Sequence, residues 1–148
     1  MSDGTRGDEG SAALEFIAVG VIMLVPLVYL IVALGAIQEQ SLGVEAAARH
    51  AARAMALAPD ASAARARSEQ VLAAVVAEYG MDAEELGVTL TCRPSGDGCP
   101  SAGGTLTITV TTRVALPLIP SVPGLADVAS VTVEGSAAQK VSRLWGAG

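Results

Sequence analysis

Glu15 is the only charged residue between Gly10 and Ile37, in the stretch GSAALEFIAVGVIMLVPLVYLIVALGAI. A carboxylate within a lipid-facing segment costs roughly 2.5 to 3.5 kcal/mol near the centre of a bilayer and less toward its edge, so such an acid calls for a cationic partner. Cys92 and Cys99 form a second constellation, in CRPSGDGC, with Pro and Gly between them. Outside the cytoplasm that arrangement predicts a structural disulfide, with a pair of reduced thiols as the alternative, and the chain-entropy model gives about 2 to 3 kcal/mol for closing so short a loop. The remaining residues with chemical potential are weaker. His50, the single histidine, lies between Arg49 and Arg53 in a helical stretch and reads as part of a solvated charged face. Glu84 and Glu85 are adjacent, so on a helix they point in different directions and do not make an acid/base pair. One histidine and two cysteines at this spacing do not supply four metal ligands, and there is no HExxH, phosphate-binding loop or nucleophile elbow. The expected chemistry is therefore charge pairing and cross-linking. No enzyme activity, cofactor, metal or small-molecule substrate is evident.

Composition narrows the class further. With 148 residues there is room for one membrane segment and one modest domain of about 110 residues. Aromatics make up 3% of the chain, so that domain has to pack with Ala, Val, Leu and Ile, which bury less area per residue than rings do. The net charge is −6 and the basic residues are scattered, which argues against a nucleic-acid partner.

The elements that position these residues follow from periodicity. Residues 1–10, MSDGTRGDEG, are polar and Gly-rich and read as a leader, with one arginine against three acids. Residues 11–37 read as a transmembrane helix, since Phe16 to Ile37 are apolar and a helix needs roughly 20 residues to cross a hydrocarbon core. Gly20 and Pro26 interrupt the run and predict a local kink. Strong helix formers continue through QEQSLGVEAAARHAARAMALA to Pro59, extending the predicted helix over 12–58, with its lower half in lipid and its upper half outside. Gly43, Ala47 and Ala51, and beside them Val44, Ala48, Ala52 and Ala56, repeat every four residues. Such faces let another helix approach closely, which allows a packing seam between subunits; a merely alanine-rich helix is the plainer reading.

A second, amphipathic helix is predicted from an Asp60 or Ser62 cap to Tyr79, with Val71, Leu72, Val75, Val76 and Tyr79 as its apolar stripe and Gly80 as its stop. Asp82 and Glu85 resemble a capping box for one more short turn. The period then changes to two. Val88, Leu90 and Cys92, then Leu106, Ile108 and Val110, then Val131 and Val133 alternate with polar residues, predicting three half-buried strands. Pro117 to Gly124, PLIPSVPG, reads as a loop or edge excursion. The expected class is α+β: a long N-terminal helix, a second amphipathic helix, and a small three-stranded antiparallel sheet whose apolar face lies on the second helix. Residues 38–148 would form the extracytoplasmic domain.

The order Gly10, Ser11, Ala12, Ala13, Leu14, Glu15, Phe16 resembles the processing site of type IV prepilins of the tight-adherence (Flp) class. Most of the chain is similar to the TadE-like minor pilins, or pseudopilins, of those systems. The likeness rests on the GSAALEF start, the helix EAAARHAARAMA after the membrane segment, and the threonine-rich TLTITVTTRVALPLIP running into a proline-containing turn. This resemblance implies a pilin-like fold, cleavage after Gly10 by a prepilin peptidase, and a new positive amine on Ser11. It also implies pairing of Glu15 with such an amine on a neighbouring pilin or pseudopilin subunit, with Phe16 following it in the assembly segment, and contact with a pilus assembly platform in the membrane.

The orientation rests on the same signals. Arg6 on one side against Arg49 and Arg53 on the other slightly opposes a cytoplasmic N-terminus by the charge rule, whereas the cysteine pair and the resemblance put the C-terminal domain outside. The expected function is thus a single-pass, pilin-like subunit or assembly factor in the cytoplasmic membrane, with a surface pilus as its destination. The rivals are a monomeric membrane-anchored binding module, and a secreted domain released by signal peptidase near Gly35.

Overall fold

The computed structural model describes residues 8–96, 98–117 and 129–146, with residues 8–11 as backbone only. The element order is α1 (Asp8–Ala56), α2 (Ala61–Glu78), β1 (Gly87–Arg93), β2 (Thr105–Ala115) and β3 (Ser130–Lys140), an α+β arrangement. Two compact units are present, Met1–Gly35 and Ala36–Gly148.

Helix α1 starts at Asp8, so the last residues of the polar N-terminal stretch already have helical backbone, and it continues through Pro26 without interruption. It ends two residues before the predicted stop. Leu57 N–H still donates to Arg53 O at 3.1 Å, Ala58 N–H closes a tighter turn on Met55 O at 3.2 Å, and Pro59 has no N–H with which to continue. The Arg67 guanidinium, reaching from α2, donates to Leu57 O at 3.3 Å and places positive charge at the carbonyl end of α1.

Asp60, not Ser62, caps α2: its Oδ1 accepts from Ala63 N–H at 2.8 Å. At the other end Gly80 has φ +58°, and Met81 N–H donates back to Val76 O at 3.0 Å, the six-to-one bond of a glycine-terminated helix. Met81, 7% exposed, drops from there into the core. The predicted capping box at Asp82 and Glu85 builds a turn rather than a helix. Asp82 Oδ1 accepts from Glu84 N–H at 2.9 Å, while the Glu85 carboxylate turns toward Arg113 instead of back to the chain.

All three predicted strands form, in the order β1-β2-β3, both pairs antiparallel. Val88, Leu90 and Cys92 stand opposite Val110, Ile108 and Leu106, so the apolar members of each strand share one face, and threonines 105, 107, 109 and 111 share the other. On β2 the inner side chains Leu106, Ile108 and Val110 are fully buried. Strand β3 is longer than its Val131/Val133 alternation indicated, because it continues through Gly135 and Ala137 to Lys140. Of the predicted loop Pro117 to Gly124, residues 118–124 lie outside the described residues; on its near side Leu116 N–H donates to Ala129 O at 3.0 Å.

The layering differs from the expectation that the sheet would lie on α2. The helix against the sheet at Gly135 is the upper part of α1. A Cβ at that position would stand 2.5 Å from the carbonyl carbon of Val44 and 2.6 Å from its oxygen. Val44 and, further along the same helix, Ala47, Ala48, Ala51 and Ala52 are all fully buried. A thin strand face of glycine and alanine is what lets an alanine-rich helix come this close, and the close approach recovers dispersion contact that small side chains otherwise forfeit. On the α2 side, Gly43 faces Tyr79, whose Cβ and Cγ lie 3.1 Å from where a Cβ would be, and Gln40 Nε2 donates to Tyr79 O at 3.1 Å.

Two substitutions separate packing from polarity in this core. Gly135→Ala should lower stability by about 2 to 4 kcal/mol, because the obstacle is backbone that has to move. Thr112, 2% exposed with no hydrogen-bond partner for its Oγ1 among the described residues, has the opposite expectation: Thr112→Val keeps the shape, removes an unpaired hydroxyl, and should raise stability by about 1 kcal/mol or more. Thermal and denaturant unfolding followed by circular dichroism checks both signs.

Candidate functional site

In the unit Met1–Gly35 the large aliphatic, Met and Phe side chains from Leu14 to Leu34 are 47–81% exposed, while Tyr29 is half-buried and Ala33 is buried. So continuous an apolar surface far exceeds the few hundred Å² that water-facing proteins tolerate. The helix that carries it is long and apolar enough to cross a membrane, the single such helix among the described residues. Lipid or other apolar helices are its natural covering.

Glu15 lies on this surface, exposed and without an ion pair among the described residues. Phe16 beside it is 81% exposed. Gly10 and Ser11 have helical backbone, so the bond between them falls in the first turn of α1, where the leading N–H groups lack intrahelical acceptors and opening is least costly. Ser11 and Glu15 are four residues apart on one helix, which puts them on the same side and about 6 Å apart along the axis. Side chains on a helix lean toward its N-terminus, so the Glu15 carboxylate is carried back toward the Ser11 turn.

The other singled-out residues lie in the unit Ala36–Gly148. Cys92, the penultimate residue of β1, is bonded to Cys99, with Cα atoms 5.7 Å apart. The link ties the end of β1 to the segment leading into β2 and leaves no free thiol. Gly43, Ala47 and Ala51 are a packing seam, but one occupied within the chain: Gly43 is filled by Tyr79, and Ala47 and Ala51 have no exposed surface to offer another subunit. This replaces the expectation of an inter-subunit seam at those positions.

Among the described residues no group of His, Cys, Asp and Glu could hold a metal ion. The surface does have two charged grooves that local sequence patterns did not reveal. Glu39, Asp82 and Glu85 line one together with Arg113, whose Nε stands 3.9 Å from Glu85 Oε2. Arg53, Lys140 and Arg143 line the other. Each assembles residues from distant parts of the chain, and only the strand register of β2 and β3 beside α1 brings them together. Compared with known proteins, the chain matches no family model, no curated protein and no solved structure.

Proposed function

We propose that the chain is a non-enzymatic, pilin-like subunit or assembly factor of a tight-adherence type IVb pilus or a related secretion system. In this reading it is cut after Gly10 by a prepilin peptidase and held in the cytoplasmic membrane by α1, with the Ala36–Gly148 unit outside. The observation that carries it is Glu15: one carboxylate on an otherwise uncharged, largely exposed apolar helix surface, one turn beyond a glycine-serine bond. The disulfide supports the outward orientation, since such bonds persist in oxidising compartments.

The mechanism is electrostatic. Cleavage frees an ammonium on Ser11 at the same edge of the membrane as Glu15, and each charge alone is unfavourable in low dielectric. Because the two stand about 6 Å apart along the axis, a parallel neighbour displaced by about one helical turn brings its amine level with Glu15. The pair therefore selects a stagger between adjacent copies as well as holding them together. The apolar side chains around it then exchange lipid for protein, and the pairing sets the register of that exchange.

The mass and N-terminal sequence of the mature protein recovered from membranes test the cut. Ser11 as first residue is expected; Met1 or Ser2 would indicate an uncut membrane-anchored module, and a start near Ala36 a secreted domain. For the pairing, Glu15→Ala should leave synthesis and membrane insertion intact and reduce assembly with partner subunits at least about tenfold, measured by cross-linking in membranes. Undiminished assembly in that variant would refute the role.

A further inference from the structure

The unit beyond Gly35 concentrates charge of opposite sign at its two ends. At one end Arg53 from the last turn of α1, Lys140 closing β3 and Arg143 just after it line an open groove with no carboxylate in its walls among the described residues. None of the three makes an ion pair or a side-chain hydrogen bond among the described residues. Leu57, 67% exposed, stands on its rim, and Leu144, 81% exposed, continues the apolar surface into an adjoining groove with Trp145.

At the other end the groove of Glu39, Asp82 and Glu85 sets three carboxylates against the single Arg113, with Ala36 and Ala115 as its small apolar walls. Two independent rulers put these grooves at opposite ends. Glu39 and Arg53 lie on the same helix about 21 Å apart along its axis. Ser130, in the wall of the acidic groove, opens β3, and Lys140, in the wall of the basic one, closes it.

We infer that the two grooves are the halves of one head-to-tail contact between copies of this chain, the Arg53–Lys140–Arg143 groove of one copy receiving the Glu39–Asp82–Glu85 face of a copy set about 21 Å further along the assembly, several of the one-turn steps between adjacent copies away. The inference rests on the reading of the chain as an assembling subunit and adds the surface through which its folded units meet. The argument is complementarity of sign: in a chain of net charge −6, three cations without a partner among the described residues are gathered at one end, and an excess of carboxylates is gathered at the other. Such an arrangement steers unlike ends together and holds like ends apart. Leu57 and Leu144 supply exposed apolar area at the same rim, which a small anion would leave wet and a docking protein surface would cover. A contact between two different patches does not close on itself in a pair, so it propagates as a ring or an open array.

The test uses the processed chain beginning at Ser11 in detergent micelles and two tagged variants, Lys140→Glu with Arg143→Glu and Glu39→Lys with Glu85→Lys, each first shown by circular dichroism to keep the wild-type fold. Sedimentation should show self-association of either variant weakened by about tenfold or more, and a mixture of the two restored to near the wild-type level, with high salt weakening the wild type. Wild-type oligomers indifferent to both swaps would overturn the groove contact and leave the assembly reading standing. A wild-type chain that stays monomeric would overturn both. Variants that lose association and do not recover on mixing would show that the two grooves do not meet each other and also overturn the inference.

Discussion

The contact on which the folded unit depends is the passage of α1 over Gly135, where backbone meets backbone with no side chain between. A domain with almost no aromatic residues has little area to bury per side chain, and it can compensate only by bringing its elements closer. Alanine on the helix and glycine and alanine on β3 do this together. Neither half explains itself alone: the alanine-rich stretch of α1 beyond Val44 would be a featureless helix without the elements that bury it, and Gly135 would be a weak point in a strand without the helix. The Cys92–Cys99 link and the pairing of Arg67 with the end of α1 then secure the chain at places the core does not reach.

Much of this was readable from the chain itself where a local rule governed. The alternation TLTITV gave β2 its inner and outer faces, Asp60 and Gly80 marked the two ends of α2, and the run after Glu15 announced an exposed apolar helix. What escaped were features set by tertiary contact. Strand β3 was seen only in its first half, since Gly135 to Ala138 have no strand preference and hold their place because α1 lies across them. The apolar stripe of α2 points to that helix as the support of the sheet, whereas the alanine-rich stretch of α1 around Val44, which passes over Gly135, carries too little hydrophobic contrast to declare a direction. Asp82 with Glu85 matched a helix-start pattern, yet Glu85 had a better use for its carboxylate near Arg113.

The candidate site divides along the same line. Glu15 and the cysteines could be singled out because each is chemically alone among its neighbours in sequence. The two charged grooves could not: Arg53 and Arg143 come from opposite halves of the chain, and their proximity depends on where β3 ends beside the last turn of α1. Charge in this molecule thus acts at two levels. A single acid sits among apolar side chains in the first unit, and opposed clusters occupy the ends of the second.

Trp145, the chain's one tryptophan, lines the wall shared with Leu57 and Leu144 and keeps its indole Nε1 shielded from solvent with no hydrogen-bond acceptor among the described residues. The emission of an indole responds to any change in the polarity or packing of that wall. The protein consequently contains an intrinsic optical gauge at the rim where its most exposed leucines stand, readable in the unlabelled molecule.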